Sequence, residues 1–234
     1  MARIAVIIND PEVPLDLFDA LLPGALKFQA WEALPDIGDF DGLVILGGRM
    51  SVEDDPPWMA PENALMLACG DVGIPVLSIC LGIQMLAKAA GGEVAVSAAA
   101  GVERGAVEIE LLPAAKDDPT LGLVYRRLGG RFYAPSSHGD AVTKLPAGAC
   151  WLARSAKYPY HAFRLKSVLG VQFHPEASGA LVERWAELTA DPAAGAYGPQ
   201  FAAHAAELDT LSRTVVEGFL AEVEARLADV SRPV

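Results

Sequence analysis

The segment Pro75-Val76-Leu77-Ser78-Ile79-Cys80-Leu81-Gly82-Ile83-Gln84 passes from an apolar run to a helical composition through a single cysteine. The spacing predicts a strand that ends at Cys80 and a helix that starts immediately after it, the geometry of a nucleophile elbow. So tight a turn needs small flanking residues, which Ser78 and Gly82 supply. It lifts the sulfur above the sheet edge and sets it at a helix N-terminus, where unpaired N–H groups and the helix dipole favour negative charge. A free thiol titrates near about 8.5 and is mostly protonated at neutral pH, so such an environment, with an imidazole nearby, is what a cysteine nucleophile requires. The elbow alone is equally compatible with a small buried cysteine, which is how Cys69 and Cys150 are read.

Two other places complete a constellation. Gly47-Gly48 closes the run Leu43-Val44-Ile45-Leu46. It reads as a plain turn or as a backbone that approaches a ligand closely, with the Gly48 N–H as a second oxyanion donor beside that of Leu81. It is not a phosphate loop, because the chain has no GxxxxGK[ST]. Gly170-Val171-Gln172-Phe173-His174-Pro175-Glu176 ends a strand at a histidine with a carboxylate two residues on. His174 is the candidate base and Glu176 its orienter, with Pro175 restricting the backbone between them.

Outward from the elbow, Ile4–Ile8, Leu43–Leu46 and Val76–Ile79 are short runs apolar on both faces. Helical patterns at 61–70 and 81–90 lie between and after them, and the second stops at Gly91-Gly92. This alternation predicts parallel strands covered on both sides. Further strands are expected at 106–111, 149–153, 160–165 and 168–173, close enough together for some antiparallel pairs. The expected class is α/β, an open, mixed but largely parallel sheet flanked by helices. The last third reads as helical: a helix at 181–188, a loop at 191–199, then a long amphipathic helix from Phe201. There Ala205, Leu208, Leu211, Val215, Phe219, Val223, Leu227 and Val230 recur at three- and four-residue steps, a face expected to cover the sheet rather than bind a partner. One domain over 1–234 is expected, with a core to about 180 and a helical extension beyond.

The 234 residues carry 18 basic and 30 acidic side chains, a formal charge of −12, which discounts nucleic acid as the main partner. With 52% apolar and 21% charged residues the chain has material for a core, excluding whole-chain disorder. No signal peptide or membrane span is read, and three cysteines without framework spacing point to a reducing cytoplasm. No CxxC, HExxH or HxH occurs, so no metal or cofactor is expected.

With these residues in place, the sequence resembles the class I (triad) glutamine amidotransferase family. Ser78-Ile79-Cys80-Leu81-Gly82-Ile83-Gln84 is similar to its G-x-C-x-G-x-Q, and Gly47-Gly48 before Met50-Ser51-Val52 is similar to its oxyanion loop. Ser137-His138-Gly139-Asp140 resembles the S-H-G-D of the GMP-synthetase-like branch, and residues 170–176 match G-x-Q-F-H-P-E. The blocks follow the family's order across roughly residues 40–180, a combination far more specific than any one of them. The resemblance implies a flavodoxin-like fold, Cys80 as nucleophile, His174 as base, Glu176 as orienter, and Gly48 and Leu81 as oxyanion donors. It also implies glutamine contacts from Gln84 and from Ser137, His138, Gly139 and Asp140.

Three positions depart from the pattern: Ser78 replaces the first elbow glycine, Ile83 a frequent histidine, and Arg49 the proline after the double glycine. Ser78 adds crowding; Arg49 reads either as a solvated side chain or as a cation that tunes substrate choice. No nucleotide-binding motif follows the helical tail. The expected activity is that of a stand-alone glutamine amidotransferase-like γ-glutamyl hydrolase acting on glutamine or a γ-glutamyl small molecule. The alternatives are a glutaminase subunit for a separate synthase partner and a catalytically silent binding or regulatory relative. The sequence leaves the oligomeric state open, with a dimer allowed.

Overall fold

The structure, a computed structural model, describes residues 2–230. The chain begins β1 (Ile4–Ile8), α1 (Leu17–Leu21), β2 (Leu26–Gln29), β3 (Gly42–Ile45), α2 (Met59–Asp71), β4 (Val76–Ile79) and α3 (Leu81–Ala89). It continues with β5 (Glu93–Ala95), β6 (Glu103–Leu111), α4 (Leu121–Leu128), β7 (Arg131–His138), β8 (Ala141–Lys144), β9 (Cys150–Ser155), β10 (Ala162–Leu165) and β11 (Val168–Val171). The helices α5 (Gly179–Leu188), α6 (Tyr197–Ala203) and α7 (Ala205–Val230) complete it.

Nine strands form one sheet in the order β2-β1-β3-β4-β11-β10-β9-β6-β7. The pairs from β2 to β11 are parallel, and those from β11 to β7 are antiparallel. β5 and β8 pair separately. The sheet is therefore mixed, as the sequence predicts.

Alternate residues of the parallel strands feed two apolar layers. Val6, Val44, Leu77 and Ile79 pack with Phe18 of α1 and with Leu211, Val215, Phe219 and Val223 of α7. Ala5, Ile7, Leu43, Ile45 and Val76 pack with Met59 and Met66 of α2 and with Ile83 and Leu86 of α3. The apolar stripe of the C-terminal helix thus covers the sheet, and each fully buried aliphatic or aromatic side chain in it contributes about 1.5–3 kcal/mol. Val230, the last residue of that pattern, is exposed.

Some expectations shift. The helix expected from Phe201 is two helices, broken at His204, whose φ of −115° is not helical. The loop expected at 191–199 ends early, because α6 starts at Tyr197 and holds Pro199 in its first turn, where no intrahelical N–H is needed. β2 (Leu-Lys-Phe-Gln) carries no apolar run because it is a sheet edge, mostly exposed. β7 contains Pro135 and polar residues, which an edge strand tolerates. Cys69 is buried, and burial pushes its thiol up to about 12; Cys150, at the start of β9, is exposed rather than buried. Among the described residues no helix is long and apolar enough to cross a membrane.

Candidate active site

β4 and β11 lie side by side and parallel, and both deliver their C-terminal ends to one edge. Cys80 follows β4 with φ 52° and ψ −103°, a strained conformation for a residue with a side chain, and caps α3. Its backbone N–H donates to the Val171 carbonyl at 2.8 Å, tying the elbow to β11. Gly82 is obligatory here: a Cβ would lie 2.5 Å from Ser78 Oγ and 3.2 Å from Ile45 Cγ2. The crowding expected of Ser78 is therefore real, and its hydroxyl is accommodated against Met66 Sδ at 3.6 Å. Leu81 is the first residue of α3, so its N–H belongs to the unpaired first turn.

His174 stands just beyond β11. Its backbone N–H donates to the Pro135 carbonyl of β7 at 2.7 Å, and its Nδ1 donates to Glu176 Oε1 at 2.7 Å. The ring's far side and Cys80 both border Gly47, where a would-be Cβ lies 3.1 Å from His174 Cε1 and 3.2 Å from Cys80 Cβ. Burial disfavours the charged ring, but Glu176 and Cys80 outweigh it, and the imidazole is pushed up to about 10. Glu176 is wholly buried. The three residues are thus in series, carboxylate to imidazole to sulfur.

A cavity of about 310 Å³ opens over this series. Cys80 and His174 line it, together with Gly48, Gln84, Ser137, His138, Gly139 and Asp140. Of the expected catalytic, oxyanion and glutamine-contact residues, Glu176 and Leu81 alone are outside the lining. Gly48 comes so close to Met50 Sδ and Leu81 Cδ2 (2.4 and 3.0 Å from a would-be Cβ) that a side chain there forces a shift. Gln84 Nε2 is committed within the protein, donating to the Asp140 carbonyl at 3.0 Å and to Gln172 Oε1 at 3.1 Å. Arg49 lies at the rim. Its guanidinium forks onto buried Asp10 at 2.7 and 2.9 Å, and its backbone N–H joins the same carboxylate at 3.1 Å. Burial opposes the ionised Asp10, yet Arg49 holds it below the usual carboxylate range. The arginine therefore anchors the glycine loop as well as facing the cavity.

Sequence reasoning missed several lining residues. Trp185 and Thr189 come from α5 and its end, and Arg104 from β6. Arg104 donates to Ser137 Oγ at 2.9 Å, Thr189 Oγ1 at 2.8 Å and Asp191 Oδ2 at 2.6 Å, joining the antiparallel half to the C-terminal helices. Nothing local in the sequence marks these residues, because only the folded sheet brings residues 104, 137 and 189 together.

One cluster among the described residues has the composition of a metal site: Glu103, His138 and His161 place three possible ligand atoms within 4.8 Å. Both imidazoles turn Nε2 to Glu103 Oε2, at 3.2 and 2.6 Å, and Ser155 Oγ donates to Oε1 at 2.8 Å. His138 Nδ1 faces the Asp140 carbonyl at 2.9 Å, which can only accept, so that nitrogen carries a proton. Burial alone would raise Glu103, but these donors hold it well below the carboxylate range. The Ser155 bond and the short His161 contact hold Glu103 in place, and the cluster works as a clamp behind the 138–140 turn.

The comparisons with known proteins agree with this geometry. The model of the glutamine amidotransferase class-I family matches residues 26–183. The chain belongs to that family. A GMP synthase (glutamine-hydrolysing) of Thermomicrobium roseum is 38% identical over 149 residues, covering 63% of this chain and 25% of the relative. One from Aeropyrum pernix is 33% identical over 184 residues, covering 76% and 33%. The chain therefore spans a quarter to a third of these curated relatives. Among solved structures, a glutamine amidotransferase of Methylobacillus flagellatus superposes with a TM-score of 0.79 at 26% identity, covering 95% of both chains. A glutamine amidotransferase of Thermotoga maritima gives 0.72 at 25% identity, covering 97% of this chain and 98% of that one. The mixed sheet, parallel from β2 to β11 and flanked by helices, is the class I, flavodoxin-like fold of these neighbours.

Proposed function

We propose that the chain, acting as one domain, hydrolyses the γ-amide of glutamine or of a γ-glutamyl compound through Cys80, His174 and Glu176. The observation that carries the reading is the position of His174, bonded to Glu176 through Nδ1 and set beside Cys80 in the lining of one cavity. In this reading the imidazole takes the thiol proton, and the sulfur attacks the γ-carbonyl carbon. The N–H groups of Gly48 and Leu81 receive the developing oxyanion. His174 returns the proton to the leaving nitrogen, and ammonia or an amine departs from a γ-glutamyl thioester. The same imidazole then deprotonates water, which attacks the thioester carbonyl; the C–S bond breaks and glutamate is freed. Glu176 keeps the ring in the tautomer that presents Nε2 to the sulfur and stabilises the imidazolium.

A second reading has support of its own. The curated relatives named above are glutamine-hydrolysing GMP synthases, of which this chain matches a quarter to a third. Under that reading the chain supplies ammonia to a separate synthase partner.

The test is glutamate release from glutamine, glutathione and a set of γ-glutamyl amines, with Cys80→Ala in parallel. Release from one of them without a partner supports the hydrolase, and its leaving group defines the substrate. Silence toward all, with Cys80 still labelled by a glutamine-like electrophile, supports the partner-dependent subunit. Equal turnover by Cys80→Ala contradicts both.

A further inference from the structure

Gln172 lies between β11 and His174, is 1% exposed, and has no part in the scheme above. The polarity of its surroundings fixes which way its amide points. The Asp140 carbonyl can only accept, so the Gln84 atom 3.0 Å from it is the NH2 group. The same NH2 lies 3.1 Å from the Gln172 side chain, so the Gln172 atom it meets is the carbonyl oxygen. The other end of the Gln172 amide is then its NH2, and this end lies 3.5 Å from Cys80 Sγ. A backbone carbonyl thus orients two buried amides in series and aims the last donor at the sulfur.

We propose that Gln172 is a further catalytic residue, whose NH2, held in one orientation by Gln84, donates a hydrogen bond that stabilises Cys80 as the thiolate. The bond is charge-assisted while the sulfur is anionic and weakens when the electron pair is shared with the γ-carbonyl carbon in the thioester. It regains strength when the C–S bond breaks and the pair returns to sulfur, so it favours both the attacking and the leaving state. His174 supplies the counter-charge and Gln172 a neutral donor that survives after the imidazole has given its proton away. The inference rests on Cys80 being the nucleophile.

The measurement is the thiolate absorbance near 240 nm, taken against Cys80→Ala and titrated with acid. The ionisable groups that share the cavity with the sulfur include His174, backed by Glu176, and Arg49, paired with Asp10. Across the cavity stand Arg104, Asp54, His138 and Asp140. All are common to wild type and variant, so the difference between the two titrations reports Gln172. In Gln172→Met, which keeps the volume and removes the donor, the acid loss of thiolate moves up by about one pH unit. This is a roughly tenfold smaller thiolate-to-thiol ratio. An unmoved titration in a variant with wild-type melting overturns the proposal.

Should that variant fold poorly, the wild type supplies the second reading. Alkylation of Cys80 shifts one side-chain NH2 proton of Gln172 in a 15N-resolved spectrum, and absence of any shift is equally contrary. Failure of the nucleophile assignment looks different: Cys80→Ala then keeps turnover, and wild type shows no Cys80-dependent absorbance.

Discussion

The indole of Trp185 lies against the imidazole of His174, with ring centroids 4.6 Å apart and planes tilted by 52°. Its Nε1–H is held by the Glu12 carbonyl at 2.6 Å, so the ring is fixed between the N-terminal loop and the base. The helix that follows the Gln-Phe-His-Pro-Glu segment is therefore part of the site. An aromatic face beside an imidazolium is worth about 0.5–2 kcal/mol. Trp185→Leu is expected to lower kcat/KM about tenfold and to bring its basic limb to lower pH, because the charged ring loses support. Trp185→Phe retains most of both. A pH profile of kcat/KM checks this, and an unmoved limb in Trp185→Leu speaks against it.

The elbow makes a second prediction. Gly82 has no room for a methyl because Ser78 Oγ stands 2.5 Å from where it would be. Gly82→Ala is expected to lose activity and about 1–3 kcal/mol of stability by overpacking. Ser78→Gly, added to it, restores part of both, while the Ile45 side chain and carbonyl keep the rescue incomplete. Denaturant melts of the single and double variants give the coupling between the two positions.

Under the glycine loop, Glu62 is buried in α2 and accepts from Asn9 Nδ2 at 3.2 Å, while the same amide holds the Leu46 carbonyl at 3.0 Å. Burial pushes this carboxyl up from 4.5 to about 8, against the pull of Asn9. Between those values the folded chain binds a proton that the unfolded chain has released. The contribution of Glu62 to stability therefore declines as pH rises from about 4.5 to about 8 and levels off above. Glu62→Gln is expected to remove that decline and to melt higher than wild type at pH 8. Parallel pH dependences of Tm in the two proteins count against it.

The C-terminal helix is locked by charge as well as by its apolar face. Arg164 of β10 reaches Asp118 at 2.6 Å and Glu222 of α7 at 2.9 Å, and the three side chains are largely buried. Arg164→Ala leaves two buried carboxylates without their cation and is expected to cost about 3–5 kcal/mol. Urea unfolding measures it; a loss under about 1 kcal/mol is inconsistent with the burial seen here.

Legibility in the sequence followed the range of the interaction. The strands apolar on both faces, Ile4–Ile8 and Val76–Ile79, were plain because central parallel strands admit little else. The Cys80 elbow and the His174–Glu176 pair were plain because each is a local pattern. Edge strands β2 and β7 were not, since one is polar and the other holds Pro135. The break at His204 was hidden because the three- and four-residue rhythm continues across it. The Glu103–His138–His161 clamp, the Arg104 links to 137, 189 and 191, and the aim of Gln172 depend on residues far apart in sequence. No spacing rule reaches them.

The central claim is that Cys80 carries the γ-glutamyl group. Its most direct test is intact-mass analysis of protein quenched in acid during turnover of the preferred substrate, with the label mapped by peptide. One γ-glutamyl group is expected, on Cys80, absent in Cys80→Ala and lost on a chase without substrate. A label on another residue, or sustained turnover by Cys80→Ala without any label, would contradict it.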